Sequence, residues 1–175
     1  MTDVPCALDR PDDGFNDYEK KVIANVREHG WQGTSVFATA DDDDEAAPGF
    51  CYSIGFWRTG LVPEILIVGL PLDVGHSVLA RIHEMAGEGF IPPVGVAVSD
   101  VMVGYDCIFF PIAPAAYADY PLSANWFYGN RDYPCLQLVW PDLAGLFPWQ
   151  AGFNERFRDD QPDLSPHGWL AHLAN

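Results

Sequence analysis

The sequence predicts an α+β fold: a single domain with a largely antiparallel sheet and two main helices, barrel-like closure being one form that sheet can take. Three observations carry this. The apolar patterns run in the order helix, three strands, helix, then two or three strands. One of those strands, "EILIVGL" (Glu64–Leu70), is a nearly continuous apolar run, as expected of a central strand buried on both faces. Within 175 residues there is no internal repeat and no sign of a second core, so the chain reads as one domain.

Residues 1–15 read as a loose leader. A helix follows at Asp17–His29, with Tyr18, Val22, Ile23 and Val26 as its apolar stripe and Gly30 as its stop. "TSVFATA" (Thr34–Ala40) and "FCYSIGF" (Phe50–Phe56) read as strands, joined by a hairpin tip that holds the acidic tract Asp41–Glu45 and the Pro48-Gly49 turn. After the central strand, Asp73 starts a second helix that runs to Gly87. Its apolar side is Val74, Val78, Leu79, Ile82, Met85 and Ala86. Two strands, Val94–Val101 and Gly104–Ile112, come next. "PAAYADY", with Pro114 in its first turn, and Asn125–Gly129 suit short helices. "CLQLVW" (Cys135–Trp140) is the last strand. The remainder, Pro141–Asn175, reads as irregular apart from a short helix at Trp169–Ala174.

Composition narrows the function. The chain is 49% hydrophobic and 14% aromatic, which argues against disorder. It carries 25 Asp and Glu against 9 Lys and Arg, a formal net charge of -16. That charge repels nucleic acid and anionic membranes at long range, and no Lys/Arg cluster offers a local exception. No apolar run is long enough to span a membrane, and the first residues lack the apolar core of a signal peptide. Cys6, Cys51, Cys107 and Cys135 are widely spaced without a Cys-x-x-Cys pair, so reduced thiols in a cytoplasmic protein are expected.

Motifs for chemistry are sparse. The contiguous acids of Asp41–Glu45 lack the alternation of a calcium loop. His76 and His83 share a helix face but lie about 10 Å apart along its axis, too far for one metal ion. Gly-x-Ser-x-Gly, Walker and Gly-x-Gly-x-x-Gly patterns are absent, and no motif indicates a cofactor. Asp73, at the start of the second helix, opposes a phosphate there. Glu64 is the more interesting acid: it enters an apolar strand, where desolvation raises a carboxyl pKa. Gln137 is a lone amide inside an apolar strand and needs hydrogen-bond partners if buried.

The stretch "LQLVWPDLAGLFPWQAGF" (Leu136–Phe153) sets Trp140 and Trp149 around a Pro-Asp turn. Pro141 removes a ladder donor, Asp142 can hold turn amides, and Gly145 permits a positive φ. Two readings stand. In one, two indoles cover an open sheet end. In the other, Tyr52, Trp140 and Trp149 line a small-molecule pocket whose polar groups are Glu64, Gln137 and Asp142.

Together, "YSIGF" (Tyr52–Phe56), "PEILIVGLP" (Pro63–Pro71) and the Leu136–Phe153 stretch resemble the bacterial family known as domain of unknown function 4262, over roughly Tyr18–Phe153. Where that family usually has His-Pro-Glu this chain has Val62-Pro63-Glu64, and where it often has Pro-Trp-Glu this chain has Gln150. The resemblance implies a bacterial, soluble, single-domain protein and brings no assigned catalytic residue.

The leading expectation is a non-catalytic binding or interaction module, accessory to a stress, plasmid or conflict system. Its partner would be a small molecule or a basic protein, and a homo-oligomer is compatible with it. The alternatives are a small enzyme with Glu64 or Asp142 as general base, and a flavin or other cofactor binder.

Overall fold

The computed structural model describes residues 4–39, 47–60 and 62–174. The acidic tract Asp41–Glu45 lies outside them. Helix α1 (Asp17–His29) forms as expected. Asn16 caps it, accepting from the Glu19 amide while the Glu19 carboxylate reaches back to the Asn16 amide, and Gly30 ends it at φ 83°. Strand β1 (Gln32–Val36) starts and ends earlier than expected, with only an isolated bridge, Thr39 to Ala47, beyond it. It pairs antiparallel with β2 (Phe50–Ile54), and β2 with β3 (Glu64–Val68). A single helical turn not anticipated from sequence, α2 (Phe56–Gly60), fills the β2–β3 connection.

Helix α3 (Leu72–Gly87) begins after Pro71, which places Asp73 inside its first turn and not at the cap. Strands β4 (Ala97–Met102) and β5 (Tyr105–Pro111) form a hairpin turned at Gly104. Val94 adds only a bridge to Phe109. A 3-10 turn (Pro114–Ala118) and α4 (Leu122–Tyr128) lead to β6 (Cys135–Val139).

The sheet order is β1-β2-β3-β6-β5-β4. Strand β6 inserts between β3 and β5, antiparallel to β5 but parallel to β3. This corrects the barrel-like expectation: the six-stranded sheet is open, with β1 and β4 as its edges. The two central strands, β3 and β6, are buried along their whole length, and strand alternation sends their side chains to both faces.

On one face Cys51, Ile65, Ile67, Leu136 and Leu138 pack under Val78, Leu79 and Ile82 of α3. On the other, Tyr52, Ile54, Leu66 and Val68 pack against Val22, Ile23 and Val26 of α1 and Phe127 of α4. The first residues are not loose where described: Cys6 and Ala7 enter that second core, and Ala7–Asp9 form a 3-10 turn. A third cluster, toward β5, joins Ile108, Phe110 and Val139 to Phe147 and Trp169. The C-terminal stretch is therefore irregular in backbone but packed. Its end is pinned at Gly95, where φ is 71° and an added Cβ would lie 1.8 Å from the His172 carbonyl oxygen. Among the described residues no helix is long and apolar enough to cross a membrane.

Candidate functional site

The segment after β6 is built around Asp142. Its Oδ1 accepts from the amides of Ala144 (2.9 Å) and Leu146 (3.0 Å), and its Oδ2 from that of Asn154 (2.9 Å). The Leu146 amide, helped by those of Asn154 and Ala144, holds this carboxyl below the ordinary aspartate range against the effect of burial. Gly145 turns at φ 80°, as the sequence suggests. Gln150 then accepts from the Phe147 amide at 2.7 Å, a contact within the turn.

These bonds present Trp149. Its ring stacks on Phe147 (5.2 Å, 5°), meets Phe110 edge-on (5.6 Å), and leans on Trp169 (5.5 Å). Gln137 fixes the facing segment. Its Nε2 donates to the Pro162 carbonyl (2.8 Å), and its Oε1 accepts from the Leu164 amide (3.2 Å) and the Trp169 indole (3.3 Å). A fully buried amide in a sheet core is thus satisfied by chain that returns from 25 residues or more downstream. Asp163 accepts from the Trp169 amide at 2.8 Å.

Between the two segments opens a cleft of about 490 Å³. Pro148, Trp149, Pro162, Trp169 and Leu170 give it apolar walls, and Arg158, Asp163 and His167 give it a polar rim. Arg158 is braced there, donating to both carboxylate oxygens of Glu155 and to the Pro148 carbonyl (3.2 Å).

The six residues expected to share a pocket do not come together in one. Trp149 lines the cleft, with Gln137 beneath it and Asp142 shaping its approach. Trp140 lies on the α3 face, its indole donating to the Val68 carbonyl (2.9 Å) and its ring meeting Phe157 edge-on. Tyr52 is in the α1 core, its hydroxyl accepting from the Ser123 amide (3.1 Å).

Glu64 is fully buried at the start of β3. Its Oε1 accepts from the Gly55 amide (2.9 Å), the Trp57 amide (3.2 Å) and the Tyr128 hydroxyl, and its Oε2 from Ser53 Oγ (2.5 Å). Both hydroxyls also accept a backbone N–H: Ser53 from Ile65 and Tyr128 from Arg58. Their own protons therefore point at Glu64, a geometry suited to a carboxylate. Burial pushes the Glu64 carboxyl above the usual range, against the hydrogen bonds from Ser53, Tyr128, Trp57 and Gly55. Loss of water wins, as expected at the centre of a core.

The residues missed from sequence are Trp169, Arg158, Asp163 and His167. Arg158, Asp163 and His167 lie in the stretch read as irregular, and Trp169 starts the short helix expected at its end; a lone Trp in that tail is the one signal that pointed there. Among the described residues no group of three or more His, Cys, Asp or Glu converges as a metal site. The four thiols are buried and free of disulfides, and burial pushes Cys51 and Cys107 up to about 12.

Residues 25–154 match the family described as Domain of unknown function (DUF4262). The chain belongs to this family. The match takes in β1 to β6 and the Asp142 turn, and stops before the Trp169 wall of the cleft. No curated protein and no solved structure matches the chain.

Proposed function

We propose that this chain is a non-catalytic binding module and that the Trp149–Trp169 cleft is its ligand seat. The observation that carries the reading is the composition of that cleft: apolar walls, a short polar rim, and a volume of about 490 Å³, suited to a small molecule or one or two side chains of a partner. The acids put forward as general bases support it by their placement. Glu64 is enclosed by four donors and Asp142 by three backbone amides, and neither lines the cleft. The charge of -16, with Asp163 on the rim and Asp159 and Asp160 just before it, favours a cationic partner that inserts an apolar side chain. Four thiols without disulfides suit a reducing bacterial cytoplasm.

The test uses short peptides that pair an aromatic residue with lysine, titrated while the Trp149 and Trp169 indole N–H signals are followed by NMR. Saturable shifts that weaken with salt and vanish in Trp149→Ala support the reading. No saturable shift at either indole, or the same response in Trp149→Ala, would sink it.

A further inference from the structure

A second cavity, of about 350 Å³, lies at the edge strand β1, which α1 and α3 both contact, remote in sequence from the Trp149–Trp169 cleft. Lys21, Asn25 and His29 follow one another at four-residue spacing on α1 and supply one wall. Gln32, Gly33 and Trp31 form the floor, and His76 of α3 closes the far side.

Three features set this cavity apart from the rest of the surface. First, the chain has 25 acids against 9 Lys and Arg, yet the cavity lining holds one lysine, two histidines and no carboxylate. Second, its amides are ordered by each other: Asn25 Nδ2 donates to Gln32 Oε1, and Gln32 Nε2 donates to the Gly33 carbonyl. Each amide nitrogen keeps a second hydrogen for a ligand. Third, His76 is seated by the fold. Its ring stacks on Trp31 (5.4 Å, 26°), and it sits so close to β1 that a Cβ on Gly33 would lie 2.5 Å from Nδ1. His83, about two turns further along the same face of α3, stacks on the same indole (5.6 Å). Glu28, outside the lining, comes within 3.8 Å of His29, and both of those side chains are more than half exposed.

We infer that this cavity is an oxyanion site, taking a small molecule through a phosphate or carboxylate group held by Lys21, His29 and His76. An ammonium, two imidazoles and two side-chain amides line this one cavity, and a charge-assisted bond from the ammonium to such a group is among the strongest available to a surface site. The overall negative charge makes the inversion selective, since anions are repelled elsewhere.

Inorganic phosphate, pyrophosphate and citrate, titrated at constant ionic strength, test it. The readouts are the Trp31 indole and Gly33 amide NMR signals. The expected result is a saturable shift with at least one probe, the phosphates and citrate telling phosphoryl from carboxylate recognition. Lys21→Met and His76→Gln should each weaken binding about tenfold, the scale of one charge-assisted hydrogen bond. Lys20→Met, one residue outside the lining, should leave it unchanged. Lys21 and His76 are exposed, so both variants should fold. Shifts that stay linear with all three probes, or equal shifts in Lys20→Met and Lys21→Met, would overturn the assignment.

Discussion

Glu64 opens β3 and Asp142 follows the neighbouring strand β6, each carboxylate is ringed by hydrogen-bond donors, and they behave in opposite ways. Strands β3 and β6 run parallel, and Glu64 is in register with Cys135. Asp142 lies seven residues beyond Cys135 and three beyond the end of β6 at Val139. The pair therefore marks opposite ends of the sheet. At the Glu64 end, burial dominates and raises the carboxyl pKa. At the Asp142 end, three backbone amides dominate and lower it. The lesson is that the number of donors does not decide the sign of a shift. What decides it is whether those donors outweigh the water that has been lost.

The largest expected effect comes from emptying the buried end. Glu64→Ala leaves two amides and two hydroxyls facing a cavity, at a cost of about 4 kcal/mol. Urea unfolding measures it, and a loss under about 1 kcal/mol would show that water replaces the carboxylate freely. The pH dependence has a definite sign. Glu64 has a folded pKa above its unfolded one, so its proton-linked stability is fully present below the unfolded value of about 4.3 and lost as pH rises through the folded value. The margin of the wild type over Glu64→Gln should narrow from mild acid toward neutral pH.

Next in size is the far end of the C-terminal segment. Gly95→Ala forces a side chain into a positive φ and against the His172 carbonyl oxygen. It should cost about 3 kcal/mol or release the segment. Limited proteolysis within 163–174 distinguishes the two, and an uncut, fully stable variant would mean the Gly95 contact holds nothing.

Asp142→Asn should give a smaller effect with the opposite pH sign to Glu64. The folded pKa of Asp142 is depressed, so its contribution is present above the unfolded pKa and is lost as pH falls through the folded one. The gap between wild type and Asp142→Asn should be open at neutral pH and close in acid. If both carboxylate variants show the same pH trend, the contrast between the two ends fails.

Local pattern carried much of the architecture. Gly30 marks the end of α1, and the apolar run of β3 announces a central strand. What local pattern lacks is pairing. The β3–β6 contact joins segments some 70 residues apart, and its parallel sense follows from the route through α3, the β4–β5 hairpin and α4. Without it, Glu64 and Asp142 looked like neighbours in one pocket, and an antiparallel sheet looked closable. The same gap explains the tryptophans. Trp140 follows β6 directly and turns to the α3 face, whereas the Asp142 turn carries Trp149 to the other. Of the two indoles in Leu136–Phe153, one is a structural cover and the other a cleft wall. Trp169 reads in sequence only as the start of a short helix, because Gln137 holds it from a distance that no window of sequence spans.

The smallest stability effect separates packing from recognition within the cleft itself. Trp169 is nearly buried and bonded to Gln137, whereas Leu170 beside it is 65% exposed yet lines the same cleft. Leu170→Ser removes little buried area, so stability should change by less than about 0.5 kcal/mol. If the cleft is the ligand seat, the same variant should weaken binding of the aromatic-lysine peptides about tenfold, since an apolar wall contact contributes on the order of 1–2 kcal/mol. A variant that binds as the wild type does would move the seat away from this wall. One that unfolds would show that Leu170 belongs to the core after all.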